Sequence, residues 1–172
     1  MKLDNAIRMA LEYENGVHKL YSDATKKVSD PSGKRILAVL AEEEMGHIKY
    51  LQERLDEWQA TGKIKVKKLG TSIPTKEVIQ QSLQDLRKTV KPKADTRLVP
   101  ELELLNKALQ AEVKTSRFYK EMVSKLDGDG QQLFQRFIEI EEGHASIVQA
   151  QIDCASGLGV FLDKLEFGLE ID

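Results

Sequence analysis

Ala41-Glu42-Glu43-Glu44-Met45-Gly46-His47 interrupts an apolar stripe with acid, and Ile140-Glu141-Glu142-Gly143-His144 does the same 97 residues later. The first stretch belongs to a segment whose stripe reads Leu37, Leu40, Glu44, His47, Leu51, Leu55, Trp58. The second belongs to one reading Phe134, Phe137, Glu141, His144, Val148, Ile152. Both have the three-four spacing of an amphipathic helix. In each, a Glu and a His occupy positions where leucine is the ordinary choice.

Working outward, each stretch has a partner upstream. One segment carries Ile7, Ala10, Leu11, Glu14, Val17, Tyr21, Ala24 and Val28 on one face, and another carries Leu105, Ala108, Leu109, Glu112, Thr115, Ser116, Tyr119, Met122, Val123 and Leu126. Glu14 and Glu112 are 98 residues apart, as are Tyr21 and Tyr119. The chain therefore reads as two copies of one helical hairpin. Helices are expected at about 4–27, 31–61, 98–126 and 131–156. Asp30 and Pro31 open the second, Gly62 stops it, and Asp127-Gly128-Asp129-Gly130 is expected as a plain turn ending the third. A basic stretch at 62–68, a shorter helix at about 75–90 and a second basic patch at 87–97 fill the long crossover. Val78, Ile79, Leu83 and Leu86 form one side of that helix. The tail 157–172, with Val160, Phe161, Leu162, Leu165 and Phe167, is expected to be pinned to the bundle. The expected fold is all-α: one domain, 1–172, made as a four-helix bundle of two hairpins with a long crossover.

Composition narrows the function. The chain has 172 residues, 41% apolar and 31% charged, with 26 Lys and Arg against 28 Asp and Glu. That balance gives no reason to expect nucleic acid or an anionic membrane as partner. The longest apolar run, residues 36–41, is far short of a membrane span. No signal-peptide pattern opens the chain, so a cytoplasmic location is expected. A single cysteine, Cys154, excludes a disulfide framework and any Cys-x-x-Cys metal knuckle.

Four carboxylates facing one core need compensation, since each buried ion costs several kcal/mol. Protonation, pairing with Lys or Arg, or cations would supply it. The basic residues fall on other faces, whereas two divalent ions balance four glutamates. Residues i and i+3 share a helix face. Glu44 with His47 therefore suits one ion and Glu141 with His144 a second, Glu14 and Glu112 completing the set. Oxygen and imidazole donors suit iron or manganese, and zinc accepts them too. Tyr21 and Tyr119 read either as core aromatics or as donors that hold the carboxylates. His18 reads as a rim residue, Cys154 as a small buried apolar one, and the 63–68 lysines as a solvated linker.

Glu14-(x6)-Tyr21, Glu44-Met-Gly-His47, Glu112-(x6)-Tyr119 and Glu141-Glu-Gly-His144 together resemble the rubrerythrin branch of the ferritin-like di-iron carboxylate family. The resemblance covers the four helices, and the tail from Gly157 is similar to short members that end soon after the fourth helix. It implies a ferritin-like bundle, two iron ions per chain bridged by Glu44 and Glu141, and a homodimer. It also implies reduction of hydrogen peroxide or dioxygen, with a part in oxidative-stress defence. Two departures stand out. No rubredoxin domain with its four cysteines is present, so an external electron-transfer protein must supply electrons. Thr115 occupies the position of the family's extra, redox-exchanging glutamate. Ferrous-iron oxidation for storage or detoxification, and a non-catalytic metal-stabilised bundle, remain alternatives.

Overall fold

The computed structural model describes residues 1–93 and 96–163. Among the described residues five α-helices form: α1 (Leu3–Lys27), α2 (Pro31–Thr61), α3 (Lys76–Thr89), α4 (Val99–Lys125) and α5 (Gly128–Leu158). A 3-10 turn, Thr96–Leu98, leads into α4. No strand occurs among the described residues, and no helix there is long and apolar enough to cross a membrane.

The long helices are built as their periodicity requires. Ala6, Ile7, Ala10, Glu14, Val17, Tyr21 and Ala24 are the buried face of α1. Asp30 caps α2 by accepting from the Gly33 backbone N–H at 2.9 Å, with Pro31 in the first turn. Gly62 ends α2 in the left-handed region at φ 67°, its N–H bonded to the Trp58 carbonyl. Helix α1 packs along α2, and α4 along α5. The two pairs meet where α1 lies on α4, while α3 rests on α5.

The apolar interior divides in two. One part gathers Val17, Tyr21, Ile36, Leu40, Leu105, Ala108, Ile147 and Val148 with Ile73, Ile79 and Leu83 of the crossover. The other gathers Ile7, Ala10, Leu51, Leu55, Tyr119, Met122, Phe134 and Phe137. On every long helix the divide falls at the glutamate: between Ala10 and Val17, Leu40 and Leu51, Ala108 and Tyr119, Phe137 and Ile147. A polar layer thus crosses the middle of the molecule.

Three expectations are corrected. Asp127-Gly128-Asp129-Gly130 is not a plain turn after the third helix. α4 ends at Lys125, and α5 begins at Gly128, where φ is +50°. Gly130 is already inside α5 because Leu3 packs there; a Cβ at Gly130 would lie 3.1 Å from Leu3 Cδ1. At its far end α5 runs on to Leu158, two residues past the expected end at about 156, and stops at Gly159 in the left-handed region. Val78 is exposed and does not share the buried side of Ile79 and Leu83, which α3 turns toward α5.

The expected pinning of the tail holds for its described part. Gln151 donates to the Leu162 carbonyl and accepts from the Leu162 N–H, both at 2.9 Å and buried. Phe161 lies over Gly33, where an added Cβ would stand 3.0 Å from the ring. Leu165 and Phe167 lie outside the described residues, as do Ala94 and Asp95 of the second basic patch. Gln151→Ala is expected to lower stability by about 1–3 kcal/mol, since it orphans a buried donor and acceptor at once. Urea unfolding measures the loss, and hydrogen exchange at the Leu162 amide should rise with it.

Candidate metal centre

All six expected ligands come together at the polar layer. Glu14 from α1, Glu44 and His47 from α2, Glu112 from α4, and Glu141 and His144 from α5 are each at most 1% exposed. Two sets of four offer one donor atom each, all within 4.8 Å of one another. They are Glu14, Glu44, His47 and Glu141, and Glu44, Glu112, Glu141 and His144. Glu44 and Glu141 belong to both sets, which revises the simple pairing of one Glu-x-x-His motif with one ion. The bundle brings each glutamate of those motifs between the two histidines.

The distances show more acceptors than protons. His47 Nδ1 lies 3.2 Å from Oε2 of both Glu14 and Glu44, and 3.5 Å from Glu141 Oε1. His144 Nδ1 lies 2.8 Å from Glu44 Oε1 and 3.7 Å from Glu112 Oε1. The 2.8 Å approach is close but lacks hydrogen-bond alignment, and both atoms remain without a hydrogen-bond partner. Glu112 Oε2, both oxygens of Glu141 and the Nε2 atoms of both histidines are also buried and unpartnered among the described residues. Such groups are costly in an interior and call for a compensating charge.

Titration directions report the same frustration. Burial, then the neighbouring Glu14 charge, pushes the Glu44 carboxyl well above the usual carboxylate range. Glu141 is raised by burial and by Glu14, Glu44 and Glu112 together. Burial opposes ionisation of Glu14 as well, but hydrogen bonds led by His47 outweigh it and hold Glu14 low. Burial also works against a charged His47, yet Glu14 and Glu44 push it up to about 9. His144 is raised, with Glu43 and Glu112 overcoming its burial. No Lys or Arg among the described residues pairs with the four glutamates. Arg54, the one buried cation there, sits on α2 below the centre, paired with Glu53 and Glu57 and donating to the Lys65 carbonyl.

The tyrosines are donors that cross between hairpins. Tyr21 of α1 donates to Glu112 of α4, and Tyr119 of α4 donates to Glu14 of α1. Both phenols are fully buried, and burial with the facing carboxylates drives them well above their usual titration range. They hold their protons and spend them on the two acids. Tyr21→Phe and Tyr119→Phe should each destabilise the metal-free protein by about 1–3 kcal/mol, because a buried carboxylate oxygen loses its donor. Near-equal losses in urea unfolding are expected from the matching geometry.

Thr115 is buried, and its hydroxyl donates to the Ala111 carbonyl at 3.0 Å. It stands apart from the donor sets. His18 is half-buried, 3.3 Å from Ser22, and is likewise outside them. Glu43 was not visible from the pattern. It lies off the apolar stripe, but Thr71 and Ser72 of the crossover hold its carboxylate beside His144. Burial raises its carboxyl, but His144 Nε2 at 3.6 Å and the hydrogen bonds from Thr71 and Ser72 outweigh that and hold it low, at about 2.

Orphaned buried oxygens and nitrogens converging on two adjacent positions fit divalent cations with oxygen and imidazole ligands. Compared with known proteins, the chain matches no family model, no curated protein and no solved structure.

Proposed function

We propose that the protein is a non-haem di-iron oxidoreductase of rubrerythrin type on a ferritin-like bundle, reducing hydrogen peroxide or dioxygen with electrons from an external donor. The observation that carries this reading is the buried donor set shared by two adjacent positions: four glutamates and two histidines, with no Lys or Arg among the described residues paired to the acids. Glu44 and Glu141, common to both sets, are the bridging pair in this reading. Glu14 with His47, and Glu112 with His144, are the terminal ligands. When bound, paired iron supplies two electrons and Lewis-acid contacts for splitting an oxygen–oxygen bond.

The chain's own residues prepare that chemistry. Tyr21 and Tyr119 keep their protons on the terminal acids Glu112 and Glu14, which fixes the carboxylate orientations. Tyr119 stacks on Phe134 and Phe137, Phe137 meets His47 edge-on, and these fully buried rings exclude water on that side. The Thr115 hydroxyl donates its proton to the Ala111 carbonyl at 3.0 Å, and a threonine here offers no carboxylate to the site. Peroxide reduction consumes two electrons and two protons to give two waters, the electrons coming in this reading from an external donor. A homodimer completes the proposal.

The test is anaerobic reconstitution with ferrous iron, followed by elemental analysis and spectra before and after one equivalent of peroxide. Two irons per chain, oxidised together, with turnover once a reduced donor protein is added, are expected. Redox-silent protein that holds its ions unchanged would assign the metals a structural role instead. Many irons per chain in a large hollow assembly, seen by size-exclusion chromatography, would assign iron storage.

A further inference from the structure

The internal repeat is broken at position 43. The 97-residue shift that carries Glu44 to Glu141 and His47 to His144 carries Glu43 to Ile140. Ile140 is buried and apolar. Glu43 has a side chain only 12% exposed, and its carboxylate is clamped from the crossover. Oε1 accepts from the Ser72 backbone N–H at 2.9 Å and from the Ser72 hydroxyl at 2.8 Å. Oε2 accepts from the Thr71 hydroxyl at 2.6 Å and lies 3.6 Å from His144 Nε2.

His47 has no equivalent. The Nε2 atoms of both histidines are buried without a hydrogen-bond partner among the described residues, but Glu43 stands off His144 at 3.6 Å, whereas the Phe137 ring meets His47 edge-on at 5.4 Å between centroids. The Nδ1 atoms of both histidines face the glutamates. An imidazole that gives its Nδ1 lone pair to a cation keeps its hydrogen on Nε2. An anionic acceptor for that hydrogen fixes the tautomer and the ring and makes the ligand a better donor.

We propose that Glu43 is the positioning residue for His144, accepting the Nε2 hydrogen, and that it makes the two cation positions unequal, with the His144 position the tighter. The crossover then has a task beyond joining the hairpins: Thr71 and Ser72 hold the acceptor in place. This inference rests on the metal-binding reading above and deepens it.

Glu43→Gln isolates the effect. Glutamine still accepts from Ser72 and donates to the Thr71 hydroxyl, so the clamp survives, but no anion faces His144. Glu43→Ile copies the other half of the repeat. Metal-free wild type and both variants would be titrated with cobalt(II) against a competing chelator, followed by the visible absorption of the bound ion. Wild type should take two ions in two resolved steps. Both variants should weaken the tighter step by about 10–100-fold, shift its absorption, and leave the other step in place. The melting temperature of metal-free Glu43→Gln should match wild type.

Four outcomes overturn the inference. Two equal steps in wild type, or an unchanged titration in Glu43→Gln, removes it and leaves the two-metal site standing. A third ion, lost in the variants, makes Glu43 a ligand with His47 and His144, whose donor atoms lie within 4.8 Å of one another. Wild type that takes up no ions removes the underlying reading and this inference with it.

Discussion

Glu141→Leu is expected to make the metal-free protein more stable while abolishing uptake of two divalent ions. Glu141 is fully buried, and neither oxygen has a hydrogen-bond partner. Burial and three neighbouring glutamates penalise its charge, and no Lys or Arg among the described residues pairs with it. Replacing such a buried group by an apolar one of similar size is commonly neutral or stabilising by about 1–4 kcal/mol. For a chain of this length that corresponds to a rise of about 2–4 °C in Tm per kcal/mol. Chemical denaturation in the presence of chelator measures the first effect, and metal analysis the second. The two belong together: the residue that costs the empty fold is one of the two that both donor sets share. A metal-free Glu141→Leu protein several kcal/mol weaker than wild type would mean that the acid is a satisfied structural group, and the site would lose its rationale.

Loading the wild-type protein with two divalent ions is expected to raise Tm by about 10–20 °C. A ligand held at 100 times its Kd contributes about 2.7 kcal/mol, so two ions contribute about 5 kcal/mol and move the midpoint by that range. The gain should depend on pH with a definite sign. Metal binding needs deprotonated carboxyls and a free imidazole lone pair. Glu44 and Glu141 are raised above the usual carboxylate range and His47 is pushed up to about 9, so protons leave as ions enter. The stabilisation is fully present at high pH and shrinks as pH falls. Scanning calorimetry with and without metal at pH 8 and pH 5.5 checks this, and equal gains at both would contradict it. Chelator should reverse the gain.

Which parts of this were legible in the sequence follows from what each signal depends on. The long helices and their buried faces depend on periodicity, which a single helix already displays. The four glutamates betrayed themselves by standing at leucine positions. Glu43 could not, because its significance comes from Thr71 and Ser72, far along the chain in a crossover without periodicity. Arg54 is buried three residues beyond Leu51, its guanidinium answered by Glu57 and a loop carbonyl that only the folded crossover delivers. Asp127-Gly128-Asp129-Gly130 has the composition of a turn, and packing of Leu3 against Gly130 overrides it. Val78 matches the helical stripe, but its burial depends on how much of α3 a neighbour covers.

The tyrosine donors cross over, each serving the acid on the opposite hairpin, across 91 and 105 residues of chain. Each hairpin alone therefore lacks the phenol that steadies its own terminal acid. An isolated half would carry one phenol with no acid to receive its proton and one acid with no phenol. Each half carries three of the four donors of one set and receives the fourth donor and the phenol from the other half, so the hydrogen-bonded centre is complete only when the two hairpins dock.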